Sequence, residues 1–265
     1  MDAKLVQGKH VPVMVELGGK LYALSYDTVS DPPSFEVFDP TIGTWSALPE
    51  PPFFQQYGQY HRGGTLSYAV TGTKMFVSQS RCPVFCFDVA HPRREWRLVH
   101  SMCQRGPFPF VSGALVLDLP GDNNNNKKLT FAYGGTRCWN LGAYIMFLDK
   151  NRESLTQIAD LKLPRLPEEF EFAKRCFLLH IGGQKACLVA PSMCPPEEQL
   201  PKFNQVGSHK TRGVAIPFRF EVDITKIDKD AKNCLTLQFM PTRIFEFCTN
   251  PSTFPSPRAH GCFVL

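Results

Sequence analysis

The sequence has no long apolar segment and no block of charge of one sign. A membrane-spanning helix needs about 18 consecutive apolar residues, and no stretch approaches that length. The longest basic runs are the pairs Lys127-Lys128 and Arg93-Arg94, and the net charge is only +5. Proteins that bind nucleic acids usually concentrate Lys and Arg in runs or on one face. We therefore expect neither a membrane protein nor a nucleic-acid-binding protein.

Signals for export and for disulfide bonding are also missing. Residues 1–5 contain no apolar signal region. The ten cysteines are irregularly spaced, unlike the framework of a small secreted domain. Such cysteines are expected as buried thiols in a reducing compartment. We expect a cytoplasmic protein, with the nucleus as a further location.

Common catalytic motifs do not occur. There is no Gly-x-Ser-x-Gly nucleophile elbow. The turns at Gly134-Gly135 and Gly182-Gly183 lack the Gly-x4-Gly-Lys-Ser/Thr pattern of a phosphate-binding loop. His180 ends an apolar strand, which favours a core imidazole over a catalytic base. The sequence thus predicts a protein that is not an enzyme.

One cluster has some features of a metal site. Cys82, Cys86 and His91 lie close together in the sequence, and His100 and Cys103 follow. Structural zinc sites pair short Cys-x2–4-Cys knuckles, and the second ligand pair here lacks that spacing. Cys86 falls inside an apolar strand, where a small buried side chain is expected. We expect no metal ion and no cofactor.

A degenerate repeat is the main positive signal. Short runs of alternating apolar and polar residues, bounded by Gly and Pro, predict strands throughout the chain. The runs group into four sets of four strands, at roughly residues 11–52, 65–102, 112–163 and 174–240. Glycine pairs separate the first and second strands at Gly18-Gly19 and Gly182-Gly183, and follow the second strand at Gly134-Gly135.

An aspartate ends the third strand of each set. The four residues, Asp39, Asp88, Asp149 and Asp223, are 49, 61 and 74 positions apart. A large apolar residue follows soon after, at Trp45, Trp96 and Leu155. We expect these side chains to begin the outer strand, and Trp45 and Trp96 to be largely buried at equivalent positions.

These features resemble the kelch repeat, which has a double glycine, a hydrophobic-Asp strand end and a Trp about six residues later. The segment Phe35 to Phe53 is similar to plant F-box/kelch proteins and their F-box-less relatives, although too few residues precede it for an F-box. The resemblance implies an all-β, kelch-type β-propeller in a single domain over residues 1–265. About four blades are expected, and residues 257–265 resemble the first strand of a fifth, so the ring is short or incomplete.

In a propeller, the loops after the second strands and between blades share one face. Loops on a rigid scaffold often carry recognition, and Tyr, Trp and Arg are enriched in binding hot spots. We expect a protein–protein interaction scaffold on this face, which the resemblance extends to a substrate-recognition module in ubiquitin ligation. The candidate binding residues are Arg81, Arg137, Trp139, Lys202, Phe203, Lys210, Arg212, Tyr57, Tyr60 and Arg62.

The loop from Pro191 to Arg212 is expected to contribute most to partner binding, and it carries Lys202, Phe203 and Lys210. Loops of that length are usually functional or disordered, and both interpretations stay open.

The alternative function is an enzyme with an active site in the central pocket, similar to galactose oxidase or to plant specifier proteins. The Glu-x3-Asp-x3-His iron motif of the specifier proteins is absent, and the copper ligands of galactose oxidase cannot be placed. Convergent histidine and carboxylate side chains at the channel mouth would favour the enzyme.

Overall fold

The protein is built almost entirely of β-strands. The structure is a computed structural model and describes residues 4–9, 12–25, 32–56, 66–79, 82–91, 95–99, 102, 107–122, 126–134, 140–149, 152–166, 176–191 and 209–249. Helical structure within these residues is limited to the single turn α1 (Pro52–Gln56) and two 3₁₀ turns, Ile224–Lys226 and Ala231–Asn233. The all-β class expected from the strand pattern is confirmed. No helix among these residues is long and apolar enough to cross a membrane.

Unit 1 is a four-stranded antiparallel sheet in chain order. Its first hairpin turns at Gly18 and Gly19, both with positive φ of 56° and 74°, a conformation that only glycine adopts without strain. Val13, Val15 and Leu17 alternate with exposed residues, so one face of the sheet is buried. The strands are β1 (Val13–Leu17), β2 (Lys20–Leu24), β3 (Phe35–Asp39) and β4 (Thr44–Ala47).

Units 2 and 3 have the same strand order and are joined into one eight-stranded sheet. The join is a parallel pairing of their first strands, in which Ser67, Tyr68 and Ala69 lie opposite Ser112, Gly113 and Ala114. Unit 2 contains β5 (Leu66–Thr71), β6 (Lys74–Gln79), β7 (Phe85–Asp88) and β8 (Trp96–Leu98). Unit 3 contains β9 (Val111–Asp118), β10 (Lys127–Tyr133), β11 (Asn140–Asp149) and β12 (Arg152–Lys162).

Unit 4 carries one additional strand. Its third strand is 14 residues long and bears two strands end to end on one edge: the fourth strand opposite residues 218–222 and a further strand opposite residues 209–215. The strands are β13 (Phe177–His180), β14 (Lys185–Pro191), β15 (His209–Val222), β16 (Leu235–Phe239) and β17 (Arg243–Thr249).

Consecutive units pack face to face through three apolar clusters. Phe35 of unit 1 meets Phe87 of unit 2 edge-on, with ring centroids 5.0 Å apart. Phe76 of unit 2 lies in one cluster with Met146 of unit 3. Phe131 of unit 3 meets Phe218 of unit 4 at 5.2 Å. Each fully buried side chain of this size contributes about 1.5–3 kcal/mol, so these clusters hold the array together. None of the described sheets closes on itself.

Three of the four third-strand aspartates start the turns that follow them. Asp39 and Asp88 end β3 and β7 and accept hydrogen bonds from backbone N–H groups two residues on, at Thr41 and Ala90, each at 3.0 Å. Asp223 does the same for Thr225 at 3.1 Å, one residue beyond β15. Such Asx turns explain why an aspartate recurs at this place.

The tryptophans occupy equivalent positions, as predicted, but neither is fully buried. Trp45 lies opposite Phe38 and Trp96 opposite Phe87, and both are half-buried. Trp96 packs into the cluster between units 1 and 2. The equivalent face of unit 1 has no preceding sheet among the described residues, which leaves Trp45 packed on Phe38 at 5.4 Å.

In unit 3 the register position of these tryptophans is taken by Glu153, not by Leu155. Glu153 lies opposite Leu148 and is only 4% exposed. Its carboxylate accepts hydrogen bonds from Lys74 and Arg97 of unit 2. An ion network therefore replaces an aromatic ring at this boundary.

Candidate functional site

Most of the predicted binding residues lie outside the residues that the structure describes. The exceptions are Lys210, whose strand backbone is described without its side chain, and Arg212. The residues outside the described ranges are Arg81, Arg137, Trp139, Lys202, Phe203, Tyr57, Tyr60 and Arg62.

The long connection of unit 4 is shorter than the sequence predicts. Pro191 belongs to β14 and His209 begins β15, so Lys210 and Arg212 are strand residues and not loop residues. The connection between the two strands is residues 192–208. The polar run at residues 209–212, followed by Gly213, gives little local indication of a strand. Pairing with β17 stabilises the strand there.

This end of unit 4 forms a projecting two-stranded ribbon, which we call the β15–β17 ribbon (residues 209–215 and 243–249). The last residue of β14, Pro191, pairs with Gly213. Residues 209–212 therefore extend beyond β14 and, among the described strands, pair with β17 alone. Residues 209–212 extend toward one end of the sheets, the end at which the second strands connect to the third strands.

The ribbon exposes large apolar side chains beside charged ones. Ile244 is 41% exposed and Phe245 is 49% exposed, and consecutive strand residues point to opposite faces. Arg212 lies opposite Glu246, with Nε 3.2 Å from Oε1. Both faces of β17 are thus accessible, which is typical of a strand that receives a partner rather than one inside a core.

A second concave feature lies at the opposite end of the sheets. The first strands of all four units end around one partly open cavity of about 530 Å³, which we call the hub cavity. Leu17 ends β1, Val70 and Thr71 end β5, Leu117 and Asp118 end β9, and His180 ends β13. The remaining lining residues are Glu16, Gly72, Val116, Leu119, Pro120, Leu129, Gly183, Gln184, Phe220 and Val222.

Short hairpins follow the first strands of units 1, 2 and 4 at this cavity. Gly18 and Gly19 turn at the end of β1, Gly72 at the end of β5, and Gly182 and Gly183 at the end of β13, all with positive φ. Their turns are tight and carry no bulky side chains. The cavity was not predicted from the sequence. The glycine pairs at this end of the strands are the sequence feature that could have indicated it.

The charged groups that line the hub cavity are two carboxylates, Glu16 and Asp118, and His180 lies beside them in the lining. Asp118 Oδ1 accepts a hydrogen bond from Lys128 Nζ at 2.6 Å, and the carboxylate is 80% exposed whereas the lysine is 6% exposed. His180 is exposed at the rim and not in the core, contrary to the sequence expectation. Its Nε2 lies 2.7 Å from the carbonyl oxygen of Gly183. A carbonyl only accepts, so Nε2 carries a proton and a neutral ring keeps Nδ1 as an acceptor.

The cysteine cluster considered for zinc does not assemble in the described part of the chain. Cys82 and Cys86 are fully buried, whereas His91 is exposed and His100 and Cys103 lie outside the described residues. No group of three or more His, Cys, Asp or Glu side chains among the described residues could hold a metal ion. Burial raises the pKa of Cys86 to about 12, so this thiol is protonated at neutral pH.

These features define an all-β protein of stacked four-stranded antiparallel units, with a ribbon at one end and a cavity at the other. A sequence family described as "Protein of unknown function (DUF1668)" matches residues 3–114. The match spans units 1 and 2 and the first residues of β9, which is less than half of the chain. No curated protein matches the sequence.

Proposed function

We propose that the protein is a binding scaffold of the kelch-like propeller type that recognises another protein through the end bearing the β15–β17 ribbon. Three features support the propeller arrangement: the four units pack in chain order, their first strands end around one cavity, and the first strands of units 2 and 3 run parallel. The proposal includes a role in substrate recognition for ubiquitin ligation, and only the resemblance to kelch proteins supports that role.

The observation that carries the binding proposal is the exposure of Ile244 and Phe245 on neighbouring positions of one edge strand. Exposed apolar side chains ringed by charge are the usual anatomy of a protein interface. Arg212 and Glu246 supply that charge directly beside Ile244. The outer edge of β17 has no strand partner among the described residues, so an extended partner segment can add to it by backbone hydrogen bonds.

The experiment is site-specific photocrosslinking in cells of the source organism. A benzophenone amino acid at position 245 should give a discrete crosslinked product with a protein partner. The matched control is the same probe at Ile42, which is 70% exposed on the β3–β4 turn at the other end of the sheets. Equal products at both positions, or products at position 42 alone, would contradict the proposal.

A substitution then tests whether the partner protein recognises the ribbon or only lies close to it. Phe245→Ala should abolish crosslinking from a probe placed at Arg243, the neighbouring exposed position, without changing the unfolding midpoint. Ile42→Ala serves as its control and should leave the product unchanged. Unchanged crosslinking in the Phe245→Ala protein would contradict recognition through the ribbon.

The hub cavity supports a second candidate, a site for a small molecule. Its lining includes Glu16, Asp118 and His180, which are the carboxylate and imidazole groups that the alternative of an enzyme requires. A volume of about 530 Å³ falls in the range of small-molecule sites, about 300–1,000 Å³. Photocrosslinking at the ribbon and a ligand screen at the hub cavity therefore address opposite ends of the molecule.

A further inference from the structure

We propose that the hub cavity binds a protonated amine or guanidinium group carried on an apolar stem. This inference rests on the second candidate above, a small-molecule site in the hub cavity. It is independent of recognition through the β15–β17 ribbon, because the cavity and the ribbon lie at opposite ends of the sheets.

The charge of the lining is the first argument. The whole chain has 29 Lys and Arg against 24 Asp and Glu, so a surface sampled at random would be slightly basic. The cavity lining instead contains Glu16 and Asp118 and no Lys or Arg. A concave site lined by one sign of charge concentrates ions of the other sign.

The hydrogen-bonding capacity of the lining is the second argument. Asp118 uses one carboxylate oxygen for Lys128, and its second oxygen has no hydrogen-bond partner among the described side chains. Glu16 is exposed and forms no ion pair with any described residue. The Nδ1 atom of a neutral His180 is a further acceptor. An ammonium group has three donors and no acceptor, so it is the complement of this set, whereas a carboxylate or phosphate is not.

The apolar wall is the third argument. Apolar side chains of all four units, including Leu17, Val70, Leu129 and Phe220, make up most of the lining residues. An aliphatic stem can lie along such a wall while its charged head reaches the carboxylates at the rim. A bare metal cation or an ammonium ion would leave this wall unused.

Two sources can supply this chemistry: a free organic amine, or a Lys or Arg side chain of a peptide. The test measures binding of defined probes to the full chain by titration calorimetry. Hexylammonium should bind at least about tenfold more tightly than hexanoate or hexanol, equal to about 1.4 kcal/mol. A capped Gly-Lys-Gly peptide forms the second arm, and tighter binding of either the peptide or hexylammonium identifies the source.

Glu16→Gln provides the decisive variant, because Glu16 is exposed and its substitution leaves the core intact. The variant should lose the preference for hexylammonium over hexanol, whereas Glu246→Gln on the ribbon should keep it. Equal binding of the three hexyl probes, tighter binding of hexanoate, or no binding of either cationic probe would overturn the proposal. So would an unchanged preference in the Glu16→Gln protein. None of these results bears on crosslinking at position 245, so the two proposals fail separately.

Discussion

Trp96 donates its indole N–H to the carbonyl oxygen of Pro49 across 2.9 Å, which ties the outer strand of unit 2 to the segment that leaves unit 1. Its ring also contacts Phe35 and Phe87 at 5.3 and 5.2 Å. Trp45, at the equivalent position of unit 1, contacts Phe38 on a face that no described unit covers. We therefore expect the tryptophan at this repeat position to contribute more to the free energy of unfolding in unit 2 than in unit 1.

We expect Trp96→Ala to lower the free energy of unfolding by about 3 kcal/mol and Trp45→Ala by about 1 kcal/mol. Trp96→Phe keeps most of the packing and loses the hydrogen bond, so it should cost about 1 kcal/mol. Urea unfolding followed by circular dichroism measures all three. Equal losses of unfolding free energy for Trp45→Ala and Trp96→Ala would contradict this expectation, because they would mean that the face of unit 1 that bears Trp45 is covered.

Glu153→Gln should destabilise the boundary between units 2 and 3. The substitution removes the buried charge that Lys74 and Arg97 share, and leaves two cations side by side. Lys74 and Arg97 are partly exposed, so the loss should be about 2 kcal/mol, below the 3–5 kcal/mol of a fully buried pair. Asp228→Asn, which breaks the exposed pair with Lys127, should cost less than about 1 kcal/mol. A smaller loss for Glu153→Gln than for Asp228→Asn would refute this role.

The contribution of Glu153 should depend on pH. Burial alone would raise its pKa, but hydrogen bonds from Arg97 and Lys74 outweigh burial, and the pKa is lowered from 4.5. A carboxyl with a lowered pKa in the folded state stabilises the fold above its unfolded pKa and loses that effect as the pH falls through the folded value. The difference in unfolding free energy between the parent and Glu153→Gln should be constant above about pH 5 and shrink below it. A difference that grows on acidification would contradict this assignment.

The thiol of Cys86 should be inert in the folded protein. Burial raises its pKa to about 12, and that of Cys176 likewise to about 12, so neither forms the reactive thiolate at neutral pH. Iodoacetamide labelling followed by peptide mass spectrometry should find both unmodified in the native protein. Both should be fully modified in denaturant, which serves as the control. Rapid native labelling of Cys86 would show that the boundary between units 2 and 3 opens.

The strands of units 1 to 4 could be predicted because their signals are local. Alternating apolar residues, glycine turns and the aspartates that start Asx turns all act within a few residues. Strand β17 escaped prediction because its apolar residues Ile244 and Phe245 are exposed, and its pairing with β15 is a long-range contact. The role of Glu153 depends on register: it lies one residue beyond the start of β12, and sequence spacing pointed to Leu155 instead.

The candidate sites were harder to predict than the fold. The ten predicted binding residues were chosen from loops, and only Arg212 has a described side chain that bears on a surface. The hub cavity requires the ends of four strands, more than 160 residues apart in the sequence from Leu17 to His180, to be placed together. Its polar residues Glu16, Asp118 and His180 share no local motif, so no window of sequence contains the site.

The parallel pairing of β5 with β9 makes the four units unequal. Units 2 and 3 share backbone hydrogen bonds across their boundary, whereas unit 1 meets unit 2, and unit 4 meets unit 3, through packed side chains. Backbone amides exchange with solvent through local opening, and segments with fewer cross-connections open first. A denatured chain should therefore regain its central eight-stranded sheet as a single cooperative step, with the outer units docking onto it afterwards. Sequence change that weakens side-chain packing at an outer unit would loosen that unit and leave the centre of the molecule folded.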